Sequence, residues 1–551
     1  MRRAYQQAAE VALAARSRQR LPGRGQSPID FVNLSGAPLR LATGSLRCKV
    51  TMKKLPLVRA TAALCACALF ASISSAQVGR RFPSEKKLVI DPVTGTPLTF
   101  LTSSDAGDSK IYQTHPDWTS DGQWVIFRSN RVPGQAMAVN EATGDIVQVT
   151  EKGYMGMLCV ARKAMNLYVM RDMGAPARGR RADFQPPPAT PGPEGMGPGG
   201  PGGPKGQGKK KGGFMRPRGP LAIVEVHLDK IFADSAKGAM EPADSYERVC
   251  GIIPTGIGAG GNMGLDADED YVYFSYSGGD AGNGVDVNNP IYSQYIEPGT
   301  KSAKPFGPRG MGSGPSGLAS MNLKTGEVKL VVAVPFQIGH VQTNPWVHGE
   351  IIFCWETGGK APQRTWVVNS DGTGLRPLFP EAPFDWVTHE AAITKDEVAI
   401  AILAHRHPGM PADTPWGNLP STGEHPSGVG IVNLRTHEMR IVGQVPVGDP
   451  GRSIWHVNGS ADGRWAAADD FQYRLWVIDR HTGEMILLAS MKRTVATGMP
   501  ADHIHPTFSA DGTKLEIQSA MISPNGHSLN IVVVPMPKSW IARNYGQHAP
   551  E

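Results

Sequence analysis

The sequence predicts an all-β fold in which four-stranded antiparallel units repeat around a ring. Three observations support this prediction. The 551 residues include 65 Gly and 46 Pro, which is more than the interiors of helices tolerate. Two turn patterns recur past residue 85, at intervals of roughly 40 to 60 residues. Each pattern reads as strand, tight turn, strand, so two of them together make one four-stranded unit.

The first pattern is a hairpin whose turn often contains Asp-Gly, as in HPTFSADGTKLEIQS. Glycine accepts the positive φ that such turns require, so Asp-Gly between alternating apolar residues indicates a hairpin. This pattern begins at His115, Met263, Thr343, His389, His456 and His505. The second pattern, as in VIDRHTGEMILLA, begins at Ala138, Ser320, Val367, Ile431 and Val477.

The apolar faces of such units are covered only by neighbouring units, so the repeats close radially as blades. Their number predicts a seven-bladed β-propeller, and an open solenoid is the alternative. A degenerate unit is expected from Gly153 to Leu228, with GMLCVARKAMNLYVMRD as one hairpin and GPLAIVEVHL as a strand pair. Residues 88–104 are expected to supply an outer strand that pairs with the last blade and closes the ring.

The N-terminal region carries a targeting pattern in an unusual place. Lys53 and Lys54 precede the apolar run from Ala60 to Ile73, which is too short to span a bilayer but suits a signal peptide. We therefore interpret residues 1–51 as an upstream mis-start, 52–76 as a signal peptide and 77–551 as one propeller domain. A periplasmic or secreted protein with no transmembrane span in the mature chain is expected.

Three Gly- and Pro-rich insertions interrupt the repeats, and they span residues 175–220, 298–317 and 407–428. The first is expected to be disordered, because it has too little apolar surface to offset chain entropy. Much of the net charge of +7 lies in this insertion and in the first sixty residues, outside the repeats, so nucleic-acid binding is not expected. Only three of the six cysteines follow the signal segment, and they predict no disulfide framework.

Histidines mark the starts of the repeats. Those in or just before a first strand are His115, His340, His389, His456, His503 and His505, and His348 lies in a hairpin. Equivalent positions of different blades face the same region near the axis, so these side chains are expected to converge. His503 and His505 point to one side of a strand and, with His456, are candidate ligands for Mn, Fe, Ni or Zn. Ordinary hydrogen-bonded histidines are the alternative interpretation.

Several segments together resemble the blades of oligogalacturonate lyases over roughly residues 335–535; they are GHVQTNPWVHGEIIFCWETGG, QRTWVVNSDGTGLRPL, WVTHEAAI, IWHVNGSADGRWAAADD and DHIHPTFSADGTKLEIQS. The resemblance implies a propeller that cleaves short galacturonate chains by β-elimination, with a manganese ion held by three histidines and a glutamine. It implies that His456, His503 and His505 are the metal ligands, that His389 is the base and that Arg364 stabilises charge. His340, His115 and Glu356 are predicted to contact the acidic oligosaccharide.

One position departs from the lyase pattern. Pro500 stands where the resemblance places the glutamine ligand, and a proline side chain cannot coordinate a metal. Two further interpretations therefore stay open, a propeller of the Tol-system type that binds protein partners without catalysis, and a uronate- or metal-binding protein without lyase activity. Other enzyme classes are disfavoured, because the sequence has no Gly-x-Ser-x-Gly, no His-Glu-x-x-His and no phosphate-binding glycine loop.

Overall fold

The structure is a computed structural model that describes residues 77–174, 219–305, 311–357, 360–382, 384–405, 427–445, 453–470, 472–491 and 504–545. All of them belong to one compact unit, Ser74–Glu551. The predicted mis-start, the signal peptide and nearly all of the insertions at 175–220 and 407–428 lie outside the described residues. Within the described ranges, no helix has the length and apolar character needed to cross a membrane.

The described residues form thirty strands and three short α-helices. The strands, in chain order, are β1 (Arg81–Phe82), β2 (Lys87–Ile90), β3 (Pro97–Phe100), β4 (Asp108–Lys110), β5 (Trp124–Ser129), β6 (Gln135–Asn140), β7 (Ile146–Gln148), β8 (Met155–Val160), β9 (Asn166–Asp172), β10 (Leu221–His227), β11 (Glu247–Ile252), β12 (Gly258–Leu265), β13 (Tyr271–Ser277), β14 (Ser313–Asn322), β15 (Val328–Phe336), β16 (Ile338–Thr343), β17 (Glu350–Trp355), β18 (Thr365–Asn369), β19 (Arg376–Pro377), β20 (Asp385–Thr394), β21 (Glu397–His405), β22 (Gly428–Asn433), β23 (Met439–Gln444), β24 (Ile454–Gly459), β25 (Trp465–Asp470), β26 (Arg474–Asp479), β27 (Met485–Ser490), β28 (Thr507–Phe508), β29 (Lys514–Ser519) and β30 (Asn530–Pro535). The helices are α1 (Leu228–Lys237), α2 (Gly279–Gly284) and α3 (Lys538–Ile541).

These strands form seven antiparallel sheets, which are the blades of a seven-bladed β-propeller. Blade 1 contains β1 and β4–β7, and blades 2 to 6 contain β8–β11, β12–β15, β16–β19, β20–β23 and β24–β27. Blade 7 contains β28–β30 together with β2 and β3. The fold predicted from the sequence is therefore confirmed.

The hydrophobic core lies between the blades rather than inside any one of them. Seven buried clusters each combine residues of two successive blades, and one of them joins blade 7 to blade 1 through Ile531 and Val125. A blade separated from its neighbours would expose both apolar faces, so this core requires closure. The closed ring excludes the open solenoid.

Strands from the N-terminal part of the described chain complete the last blade. β3 pairs with β30 through Thr99 with Val533 and Phe100 with Val532, and β2 pairs with β3 at the edge of the sheet. The predicted closing segment is confirmed, and it supplies two strands instead of one. β1 similarly completes blade 1 by pairing with β7.

Two details of the sequence prediction were wrong. GPLAIVEVHL forms the single strand β10 instead of a strand pair, and the fourth strand of blade 2 is β11, which follows helix α1. The apolar positions of α1 pack Ile231 and Phe232 onto the core of blades 1 and 2. The insertion predicted at 298–317 ends earlier than expected, since β14 begins at Ser313.

First strands lie innermost. Successive first strands from β8 to β28 contact one another, and β4 contacts β29 and β30 of the last blade. Only the inner edges of radially arranged sheets approach each other in this way. Side chains at equivalent positions of the first strands therefore meet around the axis of the ring.

Candidate functional site

The first strands of blades 4, 5 and 6 are each interrupted by a bulge that carries a histidine. Pairing with the second strand shifts register between Gly339 and Gln342, between Thr388 and Ala391, and between Ile454 and Val457. These intervals contain the histidines 340, 389 and 456. A bulge bends its strand and changes the direction of the side chain at the interruption.

Three histidines of the inner strands adopt a left-handed backbone conformation. The φ angles are +47° for His340, +46° for His389 and +50° for His505. A residue other than glycine in this region costs on the order of 1–3 kcal/mol and persists where surrounding structure enforces it. Such strain concentrates at functional sites, so the shared conformation directs attention to these three side chains.

Four histidines from blades 4 to 7 surround one tyrosine of blade 1. The Tyr112 ring centroid lies 4.9 Å from that of His340, 6.5 Å from His389, 6.0 Å from His456 and 5.2 Å from His505. Neighbouring imidazoles are close as well, with centroids 4.3 Å apart for His389 and His456 and 3.8 Å apart for His456 and His505. We call these five residues the histidine cluster. The convergence expected from the sequence is present for these four histidines, whereas His348 lies elsewhere, with its Nδ1 2.5 Å from Asp266 Oδ2.

His456 is held in one orientation by a buried carboxylate. Its Nδ1 lies 2.9 Å from Oδ2 of Asp469, and its backbone N–H donates to Oδ1 at 2.6 Å. Asp469 also accepts from the backbone N–H of His505 at 3.1 Å, while burial raises the pKa of its carboxyl to about 8. The Asp469 carboxyl group on Nδ1 leaves Nε2 for a metal, which is the usual arrangement behind a ligating histidine.

His389 has a defined tautomer. Its Nδ1 lies 2.6 Å from the backbone carbonyl oxygen of Trp455, and a carbonyl only accepts, so Nδ1 carries the proton and Nε2 keeps a lone pair. Burial lowers the pKa of His389 well below its usual value, and the positive charge of Arg364 adds to this effect. The imidazole is therefore neutral and able to accept a proton around pH 7.

Arg364 lies beside the cluster among acidic groups. Its Nε is 3.5 Å from Glu390 Oε2, and its Nη2 is 3.9 Å from Glu356 Oε2. Glu390 Oε1 also lies 3.1 Å from His340 Nδ1; burial raises the pKa of Glu390, but its interactions with His340 and Arg364 outweigh burial and bring the pKa below its usual value. The Glu390 side chain thus connects His340 with Arg364.

His115, predicted to contact substrate, lies apart from the cluster in the described contacts. Its Nε2 is 2.8 Å from the carbonyl oxygen of Met263, and its Nδ1 is 2.7 Å from the Thr114 hydroxyl. Burial lowers its pKa to about 4. Its role in substrate binding stays a prediction.

Tyr112 takes the place that the repeat pattern gives to His115. The chain turns directly after β4, with the His115 N–H donating to the Tyr112 carbonyl oxygen at 2.9 Å. This turn moves His115 away from the axis and brings Tyr112 among the histidines. Tyr112 Oη lies 3.4 Å from His340 Nε2.

Part of the predicted metal site can be described. His456 and His505 are buried neighbours with an oriented imidazole in His456, and neutral imidazoles suit a divalent transition metal. Gln518 Nε2 lies 3.4 Å from His505 Nδ1, so an amide side chain also borders this pair. His503 and Pro500 lie outside the described residues. The donor chemistry of the described pair fits a metal ion.

Comparison with known proteins identifies the fold. No protein-family model and no curated protein sequence matches the chain. Among solved structures, an oligogalacturonate lyase in complex with manganese aligns with a TM-score of 0.56 and 16% identity, covering 84% of this chain and 99% of that chain. An oligogalacturonate lyase from Vibrio parahaemolyticus aligns with a TM-score of 0.56 and 14% identity, covering 84% and 100%. At these identities the likeness establishes a shared propeller fold.

Proposed function

We propose that this protein is a metal-dependent lyase that cleaves short uronate oligosaccharides by β-elimination. The observation that carries the proposal is the histidine cluster, which lies next to Arg364 inside a propeller shared with oligogalacturonate lyases. A propeller that serves only as a protein-binding scaffold has no chemical need for imidazoles from four blades around one point. The cluster therefore favours chemistry over scaffolding.

The described side chains match the demands of elimination. Removal of the proton at carbon 5 of a uronate produces negative charge that spreads into the adjacent carboxylate. A double bond then forms between carbons 4 and 5, the carbon 4–oxygen bond breaks, and the glycosidic oxygen leaves with the bonding electrons and takes up a proton from solvent. Nε2 of His389 accepts the proton, and Arg364 stabilises the charge. His456, His503 and His505 are proposed to hold a divalent ion, with manganese favoured by the lyase resemblance. Such an ion supplies charge neutralisation at the carboxylate.

His340 and Glu356 are proposed to contact the substrate from blade 4. His340 is half-buried and offers a ring next to Tyr112, whereas Glu356 carries a negative charge that disfavours a nearby uronate. The protein is proposed to meet its saccharide outside the cytoplasm, because the sequence predicts an export segment. A cation bound near Glu356 offsets this negative charge and thereby allows an acidic sugar to bind.

A specific contact favours a second function, uronate binding without catalysis. Arg364 lies within 3.5 Å of Glu390 and 3.9 Å of Glu356, so these carboxylates compete with a substrate carboxylate for its guanidinium. Together with Pro500 at the expected glutamine position, this arrangement suits a protein that retains the site but not the turnover.

Ultraviolet absorbance distinguishes the two functions. Manganese-loaded protein is incubated with galacturonate, glucuronate and mixed uronate oligomers, because elimination creates a conjugated unsaturated uronate that absorbs in the ultraviolet. We expect growing absorbance with at least one oligomer and its loss after treatment with a chelator. Protein that binds an oligomer without any absorbance change is a binding protein, and protein that binds neither sugar nor metal contradicts both functions.

A further inference from the structure

Blade 4 contains a second group of potential metal ligands, and its histidine neighbours His389 with ring centroids 5.7 Å apart. A ring nitrogen of His340, Cys354 Sγ and a carboxylate oxygen of Glu356 all lie within 4.8 Å of one another. Cys354 and Glu356 are two residues apart at the end of β17, so their side chains point to the same side. His340 comes from the bulge in the adjacent strand β16.

Two of the three distances between these donor atoms are those expected around a tetrahedral ion. Zinc bonds of roughly 2.0–2.3 Å at tetrahedral angles place neighbouring ligand atoms about 3.3–3.8 Å apart. The His340 Nε2 to Glu356 Oε2 distance is 3.4 Å, and the Cys354 Sγ to Glu356 Oε2 distance is 3.8 Å. The His340 ring and the Cys354 sulfur lie within 4.8 Å of each other, so coordination of one ion requires them to approach by at most about 1.5 Å.

The backbone next to His340 leaves room for the Glu356 side chain. A Cβ added to Gly339 lies 2.8 Å from both Cβ and Oε2 of Glu356, closer than real Cβ atoms approach other atoms. Glycine at this position therefore allows Glu356 to pack against the bulge, where its carboxylate reaches the imidazole.

The surroundings supply the orientation and charge that a metal requires. Nδ1 of His340 lies 3.1 Å from Glu390 Oε1 and 3.4 Å from Arg364 Nη2; the shorter contact is with an acceptor, which favours a proton on Nδ1 and leaves Nε2 for coordination. A divalent ion and Arg364 bring three positive charges, and the Cys354 thiolate, Glu356 and Glu390 bring three negative charges. Within this described group, a buried divalent ion is electrically balanced.

We propose that His340, Cys354 and Glu356 bind a Zn²⁺ ion through nitrogen, sulfur and oxygen. The thiol of Cys354 releases its proton to solvent as the sulfur–zinc bond forms. Three protein ligands leave a fourth position, which is open to water or to the carboxylate of an acidic sugar. The site does not depend on lyase activity and is separate from the ion proposed at His456, His503 and His505.

Cobalt substitution tests the zinc site directly. Chelator-treated full-length protein is titrated with Co²⁺, and a thiolate ligand produces a sulfur-to-cobalt charge-transfer band in the near ultraviolet. We expect this band in the wild type and in His456→Ala, but not in Cys354→Ser. Cys250→Ser is the matched control, because Cys250 is a buried thiol of blade 2 outside this ligand group, and it should retain the band.

Zinc affinity provides the second measurement. Glu390→Gln should weaken Zn²⁺ binding about 10- to 100-fold, the usual effect of removing a carboxylate behind a ligating histidine. Circular dichroism confirms that each variant folds, and His340→Ala serves as a second ligand variant if Cys354→Ser does not fold. A wild type without the cobalt band, or folded Cys354→Ser with unchanged zinc affinity, overturns the proposal. If His456→Ala loses lyase activity but keeps the cobalt band, the loss belongs to the ion proposed at His456, His503 and His505, and the zinc site is supported.

Discussion

At the scale of a single residue, His389 has the properties of a general base. The Trp455 carbonyl fixes the proton on Nδ1, and burial together with Arg364 keeps the ring neutral. Its ring neighbours those of His340 and His456, with centroid distances of 5.7 Å and 4.3 Å. The proposed base therefore neighbours one ligand of each proposed metal site.

Replacement of His389 should affect catalysis more than metal binding. His389→Ala removes the proton acceptor, so kcat/KM should fall about 10²- to 10⁴-fold, the usual contribution of general-base catalysis. Manganese content, measured by elemental analysis, should stay at the wild-type level because His389 is not a proposed ligand. His527→Ala is the control, since His527 is exposed in the turn before β30. Equal activities of the two variants would falsify the base assignment.

The depressed pKa of His389 predicts the acid side of the pH profile. The base acts only when neutral, and its pKa lies below the usual value of 6.5. As pH rises through the lowered pKa, His389 loses its proton and activity appears, so kcat/KM should be lost only well below about pH 6.5. An acid limb centred above that value contradicts the assignment.

The sequence predicts which histidines form the candidate site, but it does not predict which other side chains contact them. His389, His456 and His505 stand before recognisable hairpins, and their convergence follows from the repeat. Tyr112 and Glu390 escaped prediction for different reasons. The turn after β4 replaces an expected histidine with Tyr112, and the bulge in β20 turns Glu390 towards blade 4. Local irregularities of this kind leave no periodic signal in the sequence.

At the scale of the secondary-structure element, one strand, β25, connects two of the proposed metal ligands. Asp469 of β25 contacts both the His456 ring and the backbone N–H of His505, so one side chain positions two ligands from adjacent blades. Asp469→Asn should weaken manganese binding about 10- to 100-fold while leaving the fold intact. Calorimetric titration with Mn²⁺ measures this change. Asp511→Asn, in the turn between β28 and β29, is the control and should bind as tightly as the wild type.

The strands that close the ring offer a matched pair for stability measurements. Leu98 of β3 is fully buried in the core between blades 6 and 7, whereas Leu88 of β2 is 69% exposed. Leu98→Ala should lower the free energy of unfolding by about 2–5 kcal/mol. Leu88→Ala should change it by less than about 0.5 kcal/mol. Equal denaturant midpoints for the two variants would show that ring closure contributes little to stability.

Most strands were predictable because Asp-Gly turns identify their ends. Gly122, Gly463 and Gly512 have the expected positive φ, between +67° and +74°. Blade 2 was less predictable, since its third and fourth strands are separated by α1 and residues of a second short helix. No tight turn marks that connection, and β11 has only one buried residue, Cys250, so its pattern resembles an exposed loop.

At the scale of the whole molecule, the closed ring explains how distant residues form one site. Blades 1, 4, 5, 6 and 7 each contribute one ring to the histidine cluster, and apolar cores between successive blades hold these blades together. Residues 112 and 505 lie at opposite ends of the described chain, yet their rings are 5.2 Å apart. Closure is therefore a precondition of the histidine cluster as well as of stability.

The most direct test of the account is product analysis in ¹⁸O-labelled water. Elimination breaks the glycosidic bond without adding water, whereas hydrolysis incorporates an oxygen atom from the solvent. Metal-loaded protein is incubated with short uronate oligomers, and the products are examined by mass spectrometry. The account predicts unsaturated products with no more ¹⁸O than exchange at the reducing end introduces in protein-free buffer, formed by the wild type and strongly reduced in His389→Ala. Saturated products with ¹⁸O above that control, or intact oligomers of every uronate tested, would contradict it.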